Sequence, residues 1–169
     1  MKDLSKRKPF SMVDVSGKEE VPRTAEAVGS IRLKKETVRA IREGKVRKGD
    51  PLAAAEIACI QAVKRTPDLI PMCHPIPIGS VEAKFSLGED TVEATCRVSA
   101  VYRTGVEMEA LTGVSVALLT VWDMVKYLEK DEAGQYPETV ITGVRVREKR
   151  KRCAPSIRRT RKPRLSSPW

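Results

Sequence analysis

The sequence predicts an α+β fold of the ferredoxin-like βαββαβ kind, an antiparallel sheet covered by helices. Three observations carry that prediction. Apolar–polar alternation recurs in four stretches, at 24–33, 80–87, 91–101 and 139–147. Helical patterns fall between them, so the order is strand, two helices, two strands, helix, strand. The most apolar long segment, 103–130, carries Leu111, Val114, Ala117, Leu118, Val121, Trp122 and Val125, which together reach nearly every side of a helix. A helix apolar all round is a buried helix.

The elements follow in order. Residues 1–23 read as irregular and polar, with Pro9 and Pro22 as breakers. Residues 24–33 alternate weakly as a strand, and 34–43 form a short basic helix that Gly44 ends. Asp50 suits an N-cap and Pro51 a first turn, opening a helix over 52–65 with a broad apolar stripe. Four prolines at 67, 71, 75 and 77 exclude a helix or central strand from 66–79. That loop is nevertheless apolar, so it is expected to pack against the body. Strands at 80–87 and 91–101 turn at Gly88-Glu89-Asp90, the long helix follows, and 139–147 closes the sheet.

Length fits one domain with a proper core. The predicted organisation is an irregular segment 1–23, a single catalytic α+β domain 24–148 and a basic, disordered tail 149–169. The net charge of +10 belongs to that tail: nine of the 32 basic residues lie from Lys149 onward with no acidic residue, leaving 23 against all 22 acidic ones. A nucleic-acid reading would rest on the tail alone. The first ten residues hold no apolar stretch, which predicts no signal peptide, and the sequence predicts no membrane span. Cys59, Cys73, Cys96 and Cys153 form no CxxC pair, so free thiols in a reducing cytoplasm are expected.

Several groups could do chemistry. The one histidine, His74, sits beside Cys73 in a loop that Pro71, Pro75 and Pro77 stiffen. Rigid loops position functional groups, although a lone histidine is often structural. Cys73 and His74 have no spaced partners to complete a metal set, so no metal site is expected. Asp123 and Lys126 are three apart and can touch on one helix, as a salt bridge or as an acid–base pair in which burial lowers the lysine pKa. Glu107 and Glu109 are two apart and do not share a helix face; near the helix start they also suit the macrodipole. Lys48 precedes a helix N-terminus, where it could serve an anion. Glu109 and Asp123 are 14 residues apart, which is roughly 21 Å along one helix. Both can serve one small substrate only if two subunits build the site or the helix breaks.

Residues 12–18 (MVDVSGK), 48–50 (KGD), 62–66 (AVKRT), 69–78 (LIPMCHPIPI) and 104–124 (TGVEMEALTGVSVALLTVWDM), with Lys126, resemble the cyclic pyranopterin monophosphate synthases, the C proteins of molybdenum cofactor biosynthesis. The resemblance covers roughly 11–149. It implies conversion of 3′,8-cyclo-7,8-dihydroguanosine 5′-triphosphate to cyclic pyranopterin monophosphate with release of pyrophosphate. It implies Asp123, Lys126 and Lys48 as catalytic groups, and Met72, Cys73, His74, Glu107, Met108, Glu109 and Lys149 as substrate-binding ones. It further implies no cofactor, with magnesium entering only alongside the triphosphate. The implied partners are the small-molecule substrate and a homohexamer, a trimer of dimers with sites between subunits; neither membrane nor nucleic acid is implied.

One departure stands out. The family continues after its last strand with a glycine-rich lysine segment, where this chain reads KRKRCAPSIRRTRKPRLSSPW, without a glycine. Glycine-rich backbone approaches phosphate closely, and this tail lacks that means. Two rival readings follow: a nucleic-acid-binding module using the tail, and an inactive structural homologue.

Overall fold

The computed structural model describes residues 10–152. Strand β1 (Val21–Arg32) leads to helices α1 (Lys35–Arg42), α2 (Pro51–Lys64) and α3 (Thr66–Leu69), then strands β2 (Ile78–Leu87) and β3 (Thr91–Tyr102), helix α4 (Glu107–Glu129) and strand β4 (Val140–Lys151). The strands form one antiparallel sheet in the order β2-β3-β1-β4. That is the ferredoxin-like arrangement expected from the element order.

The sheet's inner face presents Ala25, Ala27, Ile31, Val92, Ala94, Cys96 and Val98, and α4 lays Val114, Ala117, Leu118, Val121 and Val125 on it. The helix comes close because position 113 is glycine. A Cβ there would stand 2.9 Å from Cys96 Sγ and from Val63 Cγ2, and 3.0 Å from Cys59 Sγ. Helix α2 packs beside α4 and buries Ala55, Cys59, Ala62 and Val63. Its start is as the sequence predicts: Asp50 accepts from Leu52 N at 2.8 Å and Ala53 N at 3.2 Å, with Pro51 in the first turn.

Four expectations need correction. Strand β1 begins at Val21, so Pro22 lies inside it; proline is tolerated at a strand start, where a ladder donor can be spared. The proline-rich loop contains the one-turn helix α3, because Pro67 falls in its first turn, where its missing N–H is unneeded. Strand β4 continues to Lys151, pairing Lys149, Arg150 and Lys151 with Ala25, Thr24 and Arg23. The long helix is not buried all round: Asp123 and Leu119 are exposed and Trp122 is half-buried. By length and composition α4 could cross a membrane, yet its inner face is spent on the core. The expected disorder of the tail from 153 onward falls outside the described residues.

The ends of α1 and α4 are joined by a reciprocal pair. Lys34 N–H donates to both carboxylate oxygens of Glu129 at 3.2 Å, while Lys34 Nζ donates to the carbonyls of Leu128 at 3.4 Å and Lys130 at 3.2 Å. Each charge thus meets the helix end whose dipole favours it.

Candidate active site

The predicted site residues gather at the two ends of α4. At the C-terminal end, Asp123 Oδ1 is 2.7 Å from Lys126 Nζ, and Lys48 Nζ donates to Asp123 Oδ2 at 2.9 Å and to its carbonyl at 2.8 Å. Lys126 lies one turn on along the helix; Lys48 reaches in from the loop between α1 and α2. The hydrogen bond from Lys126, and then that from Lys48, hold the Asp123 carboxyl down at about 2. Asp123 in turn raises the pKa of Lys126. This corrects the expectation that burial would lower it: the Lys126 side chain is 47% exposed in the single chain, so the ion pair wins.

The N-terminal end of α4 faces a cavity of about 330 Å³, lined by Met72, Cys73, His74, Met108 and Glu109 together with Lys18. His74 Nε2 donates to Val13 O at 2.8 Å, which ties the 66–79 loop to the N-terminal segment. Glu109 is 2% exposed, and its Oε2 has no partner among the described residues. Burial raises its pKa, and the charge of Glu107 adds to that. Burial also raises the Cys73 thiol, with Glu109 contributing.

Glu107 points elsewhere, as a spacing of two predicts. It lines a second cavity of about 250 Å³ with Arg23, Thr24, Lys149, Arg150 and Lys151. Lys149 Nζ lies 3.0 Å from Glu107 Oε1. Burial pushes the Glu107 carboxyl up, but the hydrogen bond from Lys149, a backbone hydrogen bond and the charges of Lys149 and Arg23 together outweigh it, and the net shift is downward. Gly105 lines both cavities, so the two are neighbours.

The structure therefore brings Met72, Cys73, His74, Met108 and Glu109 together, sets Glu107 and Lys149 beside them, and leaves Asp123, Lys126 and Lys48 roughly 21 Å away along the helix. The chemistry at one end is a carboxylate gripped by two ammonium groups, a cationic cluster suited to a polyanion. At the other, a buried acid and a cationic rim can hold a polar ring and phosphate.

The MoaC family model matches residues 12–152. The probable cyclic pyranopterin monophosphate synthase of Pyrococcus furiosus is 61% identical over 142 residues, covering 84% of this chain and 91% of that one. Those of Thermococcus kodakarensis (60% over 151 residues, 88% and 97%) and Aeropyrum pernix (61% over 140 residues, 83% and 96%) are similar. The chain belongs to the MoaC family. The matched span takes in all the predicted site residues and ends one residue past β4.

Within this family frame, sequence reasoning passed over Arg23 and Lys18 as cavity-lining cations. Arg23 had a findable signal, a lone basic residue at a strand start. Arg150 and Lys151 were read as tail, because no apolar alternation marks the end of β4.

Proposed function

We propose that this chain is a cyclic pyranopterin monophosphate synthase of molybdenum cofactor biosynthesis, acting on 3′,8-cyclo-7,8-dihydroguanosine 5′-triphosphate. The observation that carries the reading is Asp123 held between Lys126 and Lys48 at 2.7 and 2.9 Å in a MoaC-family chain. Asp123 and Lys126 exchange protons with the substrate as its guanine-derived ring opens and the pyran closes. A ribose oxygen attacks the α-phosphorus, its P–O bond forms, the bond to the bridging oxygen breaks, and pyrophosphate departs with the electron pair. Lys48 faces the charge that builds up on the phosphate oxygens. Glu109, Cys73 and His74 hold the ring system, with Met72 and Met108 as apolar walls, while Glu107 orients Lys149 toward phosphate. Any magnesium enters with the triphosphate; proton transfer is assigned to Asp123 and Lys126.

Each site is completed by a neighbouring subunit in a hexamer, a trimer of dimers. Two features support this. The two ends of α4 lie too far apart for one substrate, and α2 and α4 leave Ile57 60% and Leu119 56% exposed. The free thiols of Cys59, Cys73 and Cys96 suit a cytoplasmic setting. The sheet's outer face speaks against nucleic acid, since Arg147 is paired with Glu26 and Glu93 and Lys84 with Glu82. The test is turnover of the cyclised triphosphate, followed as pyrophosphate. Asp123→Asn and Lys126→Ala are expected to keep the assembly and stop turnover; near-normal product from either would sink the assignment.

A further inference from the structure

We infer that Tyr127 is a positioning residue for Lys48, gripping the preceding residue, Arg47, so that the Lys48 amino group is delivered to Asp123. The inference rests on the reading of Lys48 and Asp123 as catalytic groups, and it assigns a role to a side chain that touches neither.

Lys48 lies in the loop between α1 and α2, on an exposed stretch. A lysine on such a loop has four flexible side-chain bonds and a mobile base, so its head group is placed only if its backbone is fixed. Val46 fixes one side by inserting into the core at 6% exposure. A turn closes from Val46 O to Gly49 N at 3.1 Å, and Gly49 takes a φ of 102° that favours glycine. Tyr127 ties the loop directly to the C-terminal end of α4. Its hydroxyl accepts from Arg47 N–H at 2.8 Å, and the Arg47 guanidinium lies over its ring, 4.9 Å from the centroid.

Asp123 and Tyr127 are four apart on α4 and therefore share a face. Arg47 meets one turn of that face and Lys48 the turn before it, where its Nζ takes both the Asp123 carboxylate and carbonyl. Two adjacent loop residues thus clasp two adjacent helix turns. The phenol does what an aliphatic residue at 127 could not: it supplies an acceptor for a backbone N–H and an aromatic face for a cation.

The test is competitive acylation of the full-length protein at neutral pH with acetic anhydride, each lysine being read by mass spectrometry. Asp123→Asn serves as the reference that removes the charge partner of Lys48 and leaves the Asp123 carbonyl in place. Tyr127→Leu is expected to raise Lys48 acylation to the Asp123→Asn level while the other lysines, Lys126 included, keep their rates. Tyr127→Phe, which keeps the ring but loses the acceptor, is expected to fall between. In the same variants kcat falls about tenfold in Tyr127→Leu, the worth of one well-placed hydrogen bond, and KM stays within about threefold. Unchanged Lys48 acylation in Tyr127→Leu, or a rise shared by every lysine, would overturn the inference. The labelling readout does not depend on turnover. If Asp123→Asn proves active, the functional reading fails while the positioning result still stands or falls by itself.

Discussion

Glu129→Ala is the most informative single perturbation of the fold. Glu129 is fully buried, and it accepts from two donors: Lys34 N–H reaches both carboxylate oxygens at 3.2 Å and Thr139 Oγ1 reaches Oε2 at 2.6 Å. The substitution orphans the Lys34 N–H and the buried Thr139 hydroxyl. Each orphaned group costs about 1–3 kcal/mol, and the lost side-chain volume adds a cavity. Helix α1 also loses the carboxylate that faces its N-terminus, where Lys34 offers no side-chain cap. The total is about 3–6 kcal/mol, a large part of the 5–15 kcal/mol typical of a whole domain. Denaturant unfolding at fixed protein concentration, followed by far-UV circular dichroism, measures it. Glu129→Gln keeps the volume and one acceptor and is expected to lose less than half as much. A Glu129→Ala midpoint corresponding to less than about 1 kcal/mol would refute the idea that this carboxylate ties α1, α4 and β4 together.

Two further outcomes follow from buried groups in and under α4. The folded-state pKa of Glu109 lies above 4.5, raised first by burial. Its stability contribution is therefore present below pH 4.5 and lost as pH rises through the folded value, so Glu109→Gln is expected to raise the thermal midpoint at pH 7–8 and give no gain at pH 4; equal gains at both would refute the shift. Gly113→Ala puts a Cβ under 3.0 Å from Cys96 Sγ and Val63 Cγ2. Overpacking costs about 1–3 kcal/mol against about 1 kcal/mol gained in helix propensity, so a lower midpoint in a thermal scan is expected.

Local chemistry was the part of the fold readable in advance. Asp50-Pro51 announces a helix start because the cap and its acceptors lie within three residues. The Glu107/Glu109 divergence follows from helix geometry alone. Long-range chemistry was not readable. Lys34 and Glu129 are 95 residues apart, and nothing near either names the other. The pKa shift of Lys126 has the opposite sign to the expected one because the apolar pattern of α4 predicts burial on every side, whereas the Asp123 and Lys126 side of its C-terminal turns opens to solvent. The charged end of β4 passed for tail because its outward and inward residues are both polar, which erases the period of two.

That exposed C-terminal turn bears on how the enzyme must be assembled. In one chain Lys126 is an ordinary ammonium strengthened by Asp123, which makes it a poor base. A covering surface would desolvate it and move its pKa down. The same chain offers a buried acid with an oxygen unpartnered among the described residues at the far end of the same helix, roughly 21 Å away. If one subunit's Asp123 end meets another's Glu109 end, chains dead for opposite reasons should restore each other. Asp123→Asn and Glu109→Gln proteins, each inactive alone, are expected on co-refolding at equal amounts to recover about a quarter of wild-type turnover. That fraction is the chance that the Asp123 end comes from the Glu109→Gln chain and the Glu109 end from the Asp123→Asn chain, for sites repeated by symmetry. Recovery should follow mixed-oligomer formation, read by native mass spectrometry of a tagged variant. Mixed oligomers without recovered turnover would show that each site is built within a single chain, and the two ends of α4 would then need separate explanations.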